Sequence, residues 1–328
     1  MKKRISFLAW MDYANVLTSI SSLINKYSDE YESKVICITP HTFKYSLAHD
    51  IDLNDSNRGE AESWINESTY IIFGEELGFG EYKTLNLFKD KLNISTKDKK
   101  IIVWHPGSHY RHYHQRFNTN PETQNFYKRI YAMDLYRLSP KTHKDTVMLA
   151  FIEFSLNKNE YHELTYKKIL NHKKLISHYP SDINKKGTGV INDALSRINL
   201  KSLGIEYSFM TGITHTEIMN KMRNSIFYID QFGDIATFGL ASIEAMINGN
   251  IVMSSIENTK EGLMRLNKDL EVPVIDLGRN ADLIRDKIYE VITYDSETLL
   301  KRIDLNFKFL SSNYNGKNVV RRFEQDIL

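Results

Sequence analysis

Ile176-Ser177-His178-Tyr179-Pro180-Ser181-Asp182-Ile183-Asn184-Lys185-Lys186-Gly187-Thr188 is the stretch from which the fold is read. An apolar run of strand length, Lys174 to His178, stops at Tyr179-Pro180, and a polar loop follows. Beyond it Val190, Ile191, Ala194, Leu195 and Ile198 recur at the spacing of one buried helical face, which predicts a helix from Thr188 to Leu200. Lys186-Gly187-Thr188 thus sets a cation, a bare backbone and a capping hydroxyl at a helix N-terminus, where unpaired N–H groups and the helix dipole favour a phosphate. The same three residues also make an ordinary capped helix with solvated lysines. Both readings stand on these residues alone.

Outward from this stretch the alternation repeats. Strand-like runs fall at Tyr207 to Gly212, Ser225 to Asp230, Ile251 to Ser255 and Val272 to Leu277. Between them lie a helix near Glu217 to Arg223, opened by the capping pair Thr214 and Glu217, and a helix from Leu240 to Asn248, stopped by Asn248-Gly249-Asn250. Towards the N-terminus, strands at Ile5 to Met11, Lys34 to Thr39, Thr69 to Phe73 and Ile101 to His105 accompany a helix from Asn15 to Tyr27. Alternating strands and helices mean parallel sheets with helical crossovers, an α/β class, and two such series mean two α/β domains. Residues 50 to 66 and 80 to 98 read as loops or helices. Residues 141 to 172 carry no strand rhythm and are assigned the domain join. The expected partition is residues 1–155, residues 156–310, and a final helix at 311–328 packing back on the first domain.

The 328 residues are 41% hydrophobic and 26% charged, which excludes a fibrous or wholly disordered chain. Forty-three Lys and Arg against 41 Asp and Glu leave a formal charge of +2, too balanced for wholesale nucleic-acid binding, and none is expected. The lone Cys37 forbids an intramolecular disulfide and suits a reducing, cytoplasmic setting. Met1-Lys2-Lys3-Arg4 before an apolar run has the start of a signal peptide, but Asp12 cuts the run short, so it reads as a buried first strand. No stretch reaches the ~18 to 20 apolar residues of a membrane span.

Phe227-Tyr228-Ile229-Asp230-Gln231-Phe232-Gly233-Asp234-Ile235-Ala236-Thr237-Phe238-Gly239-Leu240-Ala241-Ser242-Ile243-Glu244-Ala245-Met246 carries the second signal. Glu244 falls in the middle of a helix apolar enough to be buried. A buried carboxylate costs several kcal/mol unless it is paired. Its partner is either a nearby Lys or Arg in a structural salt bridge, or a ligand with paired hydroxyls such as a ribose.

His178-Tyr179-Pro180-Ser181 with Lys186-Gly187-Thr188, followed by Ile229-Asp230-Gln231, Phe238-Gly239 and Ile243-Glu244-Ala245-Met246 with Gly249, resembles the nucleotide-sugar half of bacterial GT-B glycosyltransferases, family 4 above all. The resemblance spans residues 174 to 255. It implies two Rossmann-like domains facing each other across a cleft, the first binding the acceptor and the second the donor. It implies that Lys186 holds the donor diphosphate beside Gly187, and that Glu244 holds the nucleotide ribose. The loop from Phe232 to Gly239, with Asp234, Phe238, Gly239 and Leu240, would then face the diphosphate and sugar. Two positions depart from the pattern. Ile183 and Asn184 stand where relatives carry an Arg, leaving Lys185 as a substitute point charge. Ala236 stands where many carry an acid, and Asp234 is the nearest one.

In the first half, Val103-Trp104-His105-Pro106-Gly107-Ser108-His109-Tyr110-Arg111 is similar to an acceptor-side segment of some of these enzymes. A loop at the C-terminal end of a parallel strand faces the ligand crevice, which makes His105, Ser108, His109 and Arg111 acceptor-side candidates. Asp12 and Asn15 join them from the loop after the first strand, where Ala14 replaces the glycine common in relatives. Glu75 reads as a loop carboxylate or an acid or base. With no carboxylate or cysteine near the histidines, and metal generally dispensable in this class, neither a metal nor a cofactor is expected beyond the nucleotide-diphosphate sugar.

The resemblance implies a glycosyltransferase acting on a glycan or lipid-linked acceptor in bacterial surface polysaccharide synthesis, lipopolysaccharide or capsule, with retention of configuration. An inverting reaction would instead need a base, for which His105 and His109 are the candidates. Tyr110, Arg111, Tyr113, Arg116, Tyr127, Lys128 and Arg129 form either a patch for peripheral contact with anionic headgroups or a helix whose tyrosines pack. The alternative functions are a catalytically silent accessory subunit, prompted by Ala236 and the missing Arg, and a nucleotide-sugar 2-epimerase.

Overall fold

The computed structural model describes residues 2–39, 47–75, 82–170, 174–233, 235–267 and 270–328, apart from the side chain of Ser108. The chain divides into two compact units, one of Met1–Glu153, Glu261–Lys268 and Gly316–Leu328, the other of Phe154–Lys260 and Asp269–Asn315.

The first unit is built on seven parallel strands: β1 (Lys3–Ala9), β2 (Tyr31–Cys37), β3 (Ile51–Asp52), β4 (Tyr70–Gly74), β5 (Lys100–His105), β6 (Lys128–Tyr131) and β7 (Asp145–Val147). Their order is β3-β2-β1-β4-β5-β6-β7. Helices cover both faces of such a sheet, so strand residues on either side are buried, as the run Phe7-Leu8-Ala9 in β1 illustrates. The helix Val16–Tyr27 buries Leu17, Ile20, Leu23 and Ile24 on this sheet. Val319, Val320 and Phe323 of the helix Gly316–Asp326 enter the same core cluster, beside Phe7 and Ile20.

The second unit has five parallel strands: β8 (Lys174–His178), β9 (Ile205–Phe209), β10 (Phe227–Ile229), β11 (Ile251–Ser254) and β12 (Ile275–Asp276), in the order β12-β11-β10-β8-β9. The chain goes outward from β8 to β9 and then returns to β10 on the other side. The strand order therefore reverses between β8 and β10, and ligands of open α/β sheets bind outside the strand ends at such a point.

The structure fills the regions that the sequence reading left open. The regions read as loops or helices hold the helices Arg58–Glu67 and Lys83–Lys91, and residues 141 to 172 hold β7 and the helix Lys158–Leu170. The basic, aromatic patch is corrected: Lys128 and Arg129 lie in a strand, Tyr110 is buried, and the fully buried Arg129 donates through Nε to Asp145 at 2.6 Å. A buried ion pair in short strands erases the alternation that would have revealed β6 and β7. Among the described residues no helix is long and apolar enough to cross a membrane.

Candidate functional site

The two loops at the reversal point of the second unit carry the residues singled out around Lys186. Lys186 Nζ lies 2.6 Å from Asp230 Oδ1, which is fully buried, and Ser242 Oγ donates to the other oxygen of Asp230 at 2.6 Å. The ion pair bridges the loop after β8 to the loop after β10. Backbone contacts fix the same join: Phe232 N–H donates to Lys186 O at 3.1 Å. Gly187 has φ +66°, and a Cβ there would stand 2.1 Å from Phe232 O, so only glycine fits. His178 is buried beneath, with Nδ1 2.8 Å from Ile229 O and Nε2 2.9 Å from Thr188 Oγ1. Because a carbonyl only accepts, Nδ1 carries the proton and Nε2 accepts from Thr188. Burial lowers the His178 pKa, which keeps this neutral form.

Two helices start at this join, Thr188–Ser196 and Leu240–Ile247, with glycine at both N-cap positions, Gly187 and Gly239. Neither cap has a side chain to take up the first amides; in the first helix Thr188 N–H donates instead to Ile183 O at 3.0 Å and Val190 N–H to Gly187 O at 3.1 Å. In the second helix the first i to i−4 bond is Ile243 N–H to Gly239 O at 3.3 Å, so the amides of Leu240, Ala241 and Ser242 precede the ladder. The preceding loop is held from behind: Ser254 Oγ donates to Thr237 O at 2.9 Å, Asn258 Nδ2 to Ala236 O at 3.2 Å, and Gln231 Nε2 also to Thr237 O. Phe238 is buried in it. Lys185 turns away, 57% exposed and 3.6 Å from Asp182 Oδ2. Asp234 lies outside the described residues.

Within the protein Glu244 pairs with a histidine and not with the Lys or Arg of the salt-bridge reading. Its Oε1 is 2.7 Å from His215 Nε2 at the start of the helix His215–Met222, whose capping box of Thr214 and Glu217 forms as read. This bond raises the His215 pKa. Glu244 does not contact Lys186, but Tyr228 of β10 connects their surroundings: its hydroxyl pKa is raised well above the usual value by burial, then by the charges of Asp230 and Glu244. Lys168, which the sequence did not single out, donates from a buried Nζ to Met222 O at 3.0 Å and to Asn248 O. One ammonium therefore binds the C-terminal ends of the two helices that carry His215 and Glu244, where the dipole favours a cation. Burial, and then Arg223, lower its pKa to about 7.

In the first unit the strand order reverses between β1 and β4. Asp12 is buried after β1, and its carboxylate accepts from Leu17 N–H at 3.0 Å and from Thr18 N–H and Oγ1 at 2.8 and 2.7 Å. Its three bonds hold the first turn of the helix Val16–Tyr27, which identifies Asp12 as a helix cap. Glu75, after β4, is buried rather than solvated and accepts from Thr84 N–H at 3.3 Å in the helix Lys83–Lys91. Ala14 and Asn15 both take a left-handed φ of 55°, and Asn15 Nδ2 donates to Leu47 O at 2.9 Å. The glycine-like conformation is kept at Ala14 without the glycine.

His105 is corrected as a candidate base. It is sealed among Tyr82, Tyr110, Phe117 and Tyr131, with neither ring nitrogen hydrogen-bonded among the described residues. Burial, aided by Arg129, lowers its pKa to about 3. His109 is partly exposed, its pKa lowered by burial and by His112. Arg111 Nη2 is 2.6 Å from Asp134 Oδ2, a partner the sequence gave no sign of. Ser108 opens the same helix, Ser108–Thr119. Among the described residues no group of three or more His, Cys, Asp or Glu is placed to hold a metal ion.

No protein-family model matches the sequence, and no curated protein is significantly similar to it. The fold does match solved structures. An alpha-glucosyltransferase solved with UDP-glucose and DNA containing an abasic site superposes over 100% of this chain and 99% of its own, with a TM-score of 0.65 at 12% identity. A glycosyltransferase from Rickettsia africae covers 99% of this chain and 97% of its own, with a TM-score of 0.64 at 12% identity. HepE of Anabaena, solved with UDP and glucose, covers 98% of both chains, with a TM-score of 0.60 at 12% identity. The chain has the two-domain α/β architecture of the GT-B class.

Proposed function

We propose that the protein is a glycosyltransferase, akin to family 4, that moves a sugar from a nucleotide-diphosphate donor to a hydroxyl of a glycan or lipid-linked acceptor in bacterial surface polysaccharide synthesis. The carrying observation is the join of two glycine-capped helix starts around Lys186 and Asp230 at the strand-order reversal of the second unit. That join offers one ammonium and the first amides of the helix Leu240–Ile247 to a single dianionic group. UDP-sugar complexes of the similar folds support the same assignment.

In the reaction the bond from the anomeric carbon to the β-phosphate oxygen breaks, and a bond to the acceptor oxygen forms. Charge grows on the departing diphosphate. Lys186 and the amides of Leu240 and Ala241 stabilise that charge, and fixed donors of this kind need little rearrangement as it develops. Glu244 accepts from the ribose hydroxyls. In a retaining reaction the departing phosphate takes the acceptor proton, and no side chain need act as base. Were the reaction inverting, His109 would be the base, since the neutral, sealed ring of His105 cannot reach an acceptor. The first unit, whose crevice carboxylates already bind helix amides, is the acceptor side. We place the protein in the cytoplasm, meeting a lipid-linked acceptor at the membrane surface.

Thermal unfolding with a panel of nucleoside diphosphates and nucleotide sugars tests the donor site. Wild type gains stability from at least one of them, and Lys186→Ala and Glu244→Ala lose that gain. No gain in wild type, or an equal gain in both variants, rejects the assignment. Incubation with the stabilising nucleotide sugar alone separates a transferase from an epimerase, which would convert the sugar without an acceptor.

A further inference from the structure

Glu244 is an almost buried carboxylate whose accessible end is taken by His215. The Oε1 to Nε2 distance is 2.7 Å, and the His215 side chain is 24% exposed against 10% for Glu244, so the histidine lies on the solvent side of the pair. A ribose diol that reaches Glu244 from solvent meets His215 first. We propose that His215 is a donor-site residue that holds Glu244 in the ligand-free protein and yields it to the ribose, releasing a proton as nucleotide binds. The inference rests on the reading of Glu244 as the ribose ligand and adds a competitor and a proton to it.

Among the charged groups around the pair, Glu244 is the largest influence holding a proton on His215. On the histidine's own helix, Glu217 is turned to the Thr214 N–H and hydroxyl, both at 2.8 Å, and Lys221 lies further along. From the sheet come Tyr228, whose buried hydroxyl stays protonated, and Asp230, which is bound to Lys186 at 2.6 Å. At the far ends of the two helices are Lys168 and Arg223, both cations when protonated. The bond to Glu244 is the largest influence raising the His215 pKa. When a ribose takes that carboxylate, the imidazolium loses the largest influence raising its pKa, and the pKa falls. In the window between the bound and free values the complex holds fewer protons than the free protein, so affinity rises with pH. Burial of the ring opposes Glu244, so the window begins below the ordinary histidine value of ~6.5 and extends above it.

The test is calorimetric titration of the full chain with UDP-glucose, in pairs of buffers of differing ionisation enthalpy, from pH 6 to 8.5. The diphosphate diester of this probe does not titrate in that range, so the protons counted come from the protein. Wild type is expected to release a measurable fraction of one proton near pH 7 and to bind about three- to tenfold more tightly at pH 8.5 than at pH 6. His215→Gln keeps a donor for Glu244 and is expected to bind with no proton release and a flat pH profile. Wild-type binding without proton release overturns the proposal alone, as does equal release by His215→Gln. If wild type binds neither UDP-glucose nor any other nucleotide sugar, the donor-site reading falls and this proposal with it.

Discussion

The two units solve the same topological problem in opposite ways. Each has a strand-order reversal with two loops leading into helices at the strand ends. In the first unit those helix starts bind the protein's own carboxylates: Asp12 takes Leu17 and Thr18 amides, and Glu75 takes the Thr84 amide. In the second, Gly187 and Gly239 offer no side chain, and the nearby acid, Asp230, is bound instead to Lys186 and Ser242. An internal anion closes one crevice to phosphate. The other leaves the first amides of Leu240–Ile247 without a side-chain cap and adds a cation. The difference lies in cap residues and not in strand order, so chemistry can differ between two sheets of one plan.

The contrast can be broken at several points. Lys186→Ala should lower kcat/KM for the nucleotide sugar about 10²- to 10³-fold, the usual cost of one lost electrostatic donor in a transfer reaction. Initial-rate kinetics with the donor identified by thermal shift would check it, and an effect below about threefold would remove Lys186 from the site. Gly187→Val drives a Cβ against Phe232 O and forces a branched side chain into positive φ, so it should cost about 3 kcal/mol in denaturant unfolding and abolish nucleotide binding. Retention of both would mean that the loops are not locked as described.

The pair is sharpened by changes in the first unit. The low pKa of His105, about 3, means that the unfolded chain takes up a proton near pH 6.5 while the folded chain does not. Stability from this residue is full above about pH 6.5 and falls as pH drops towards 3, by about 2 kcal/mol at pH 5. His105→Phe should flatten that part of the stability profile, and an unchanged profile would contradict the sealed environment. Asp12→Ala should cost about 1 kcal/mol of stability as a lost helix cap, with the donor KM unchanged. A rise in donor KM comparable to that of Lys186→Ala would erase the distinction between the crevices.

The second unit was the more legible in the sequence because its site consists of local signals. Lys174 to His178 was read to the residue, and Gly187 and Gly239 mark helix starts by their absence of side chains. What the sequence withheld were pairings between distant positions. Asp230 stood in a quoted motif, yet nothing local showed that it would meet Lys186, 44 residues away. His215 read only as the residue after a cap, and its meeting with Glu244 depends on how two helices pack. In the first unit, His105 and Arg129 were misread because polar side chains near a strand end suggest exposure, whereas aromatic rings and Asp145 bury them. Buried polar clusters carry no periodicity.

The core of the first unit includes residues 316–328, with Phe323 tilted against Phe7 at 6.1 Å and edge-on to Phe151 at 5.8 Å, and with no room for a Cβ at Gly316 beside Tyr27. During synthesis this layer is added after the whole of the second unit, so the core of the first unit is not complete until the second unit has been made. The opening sheet leaves the ribosome with an oily flank awaiting its cover, and a fragment ending before residue 316 should need a chaperone or a solubilising fusion to stay in solution.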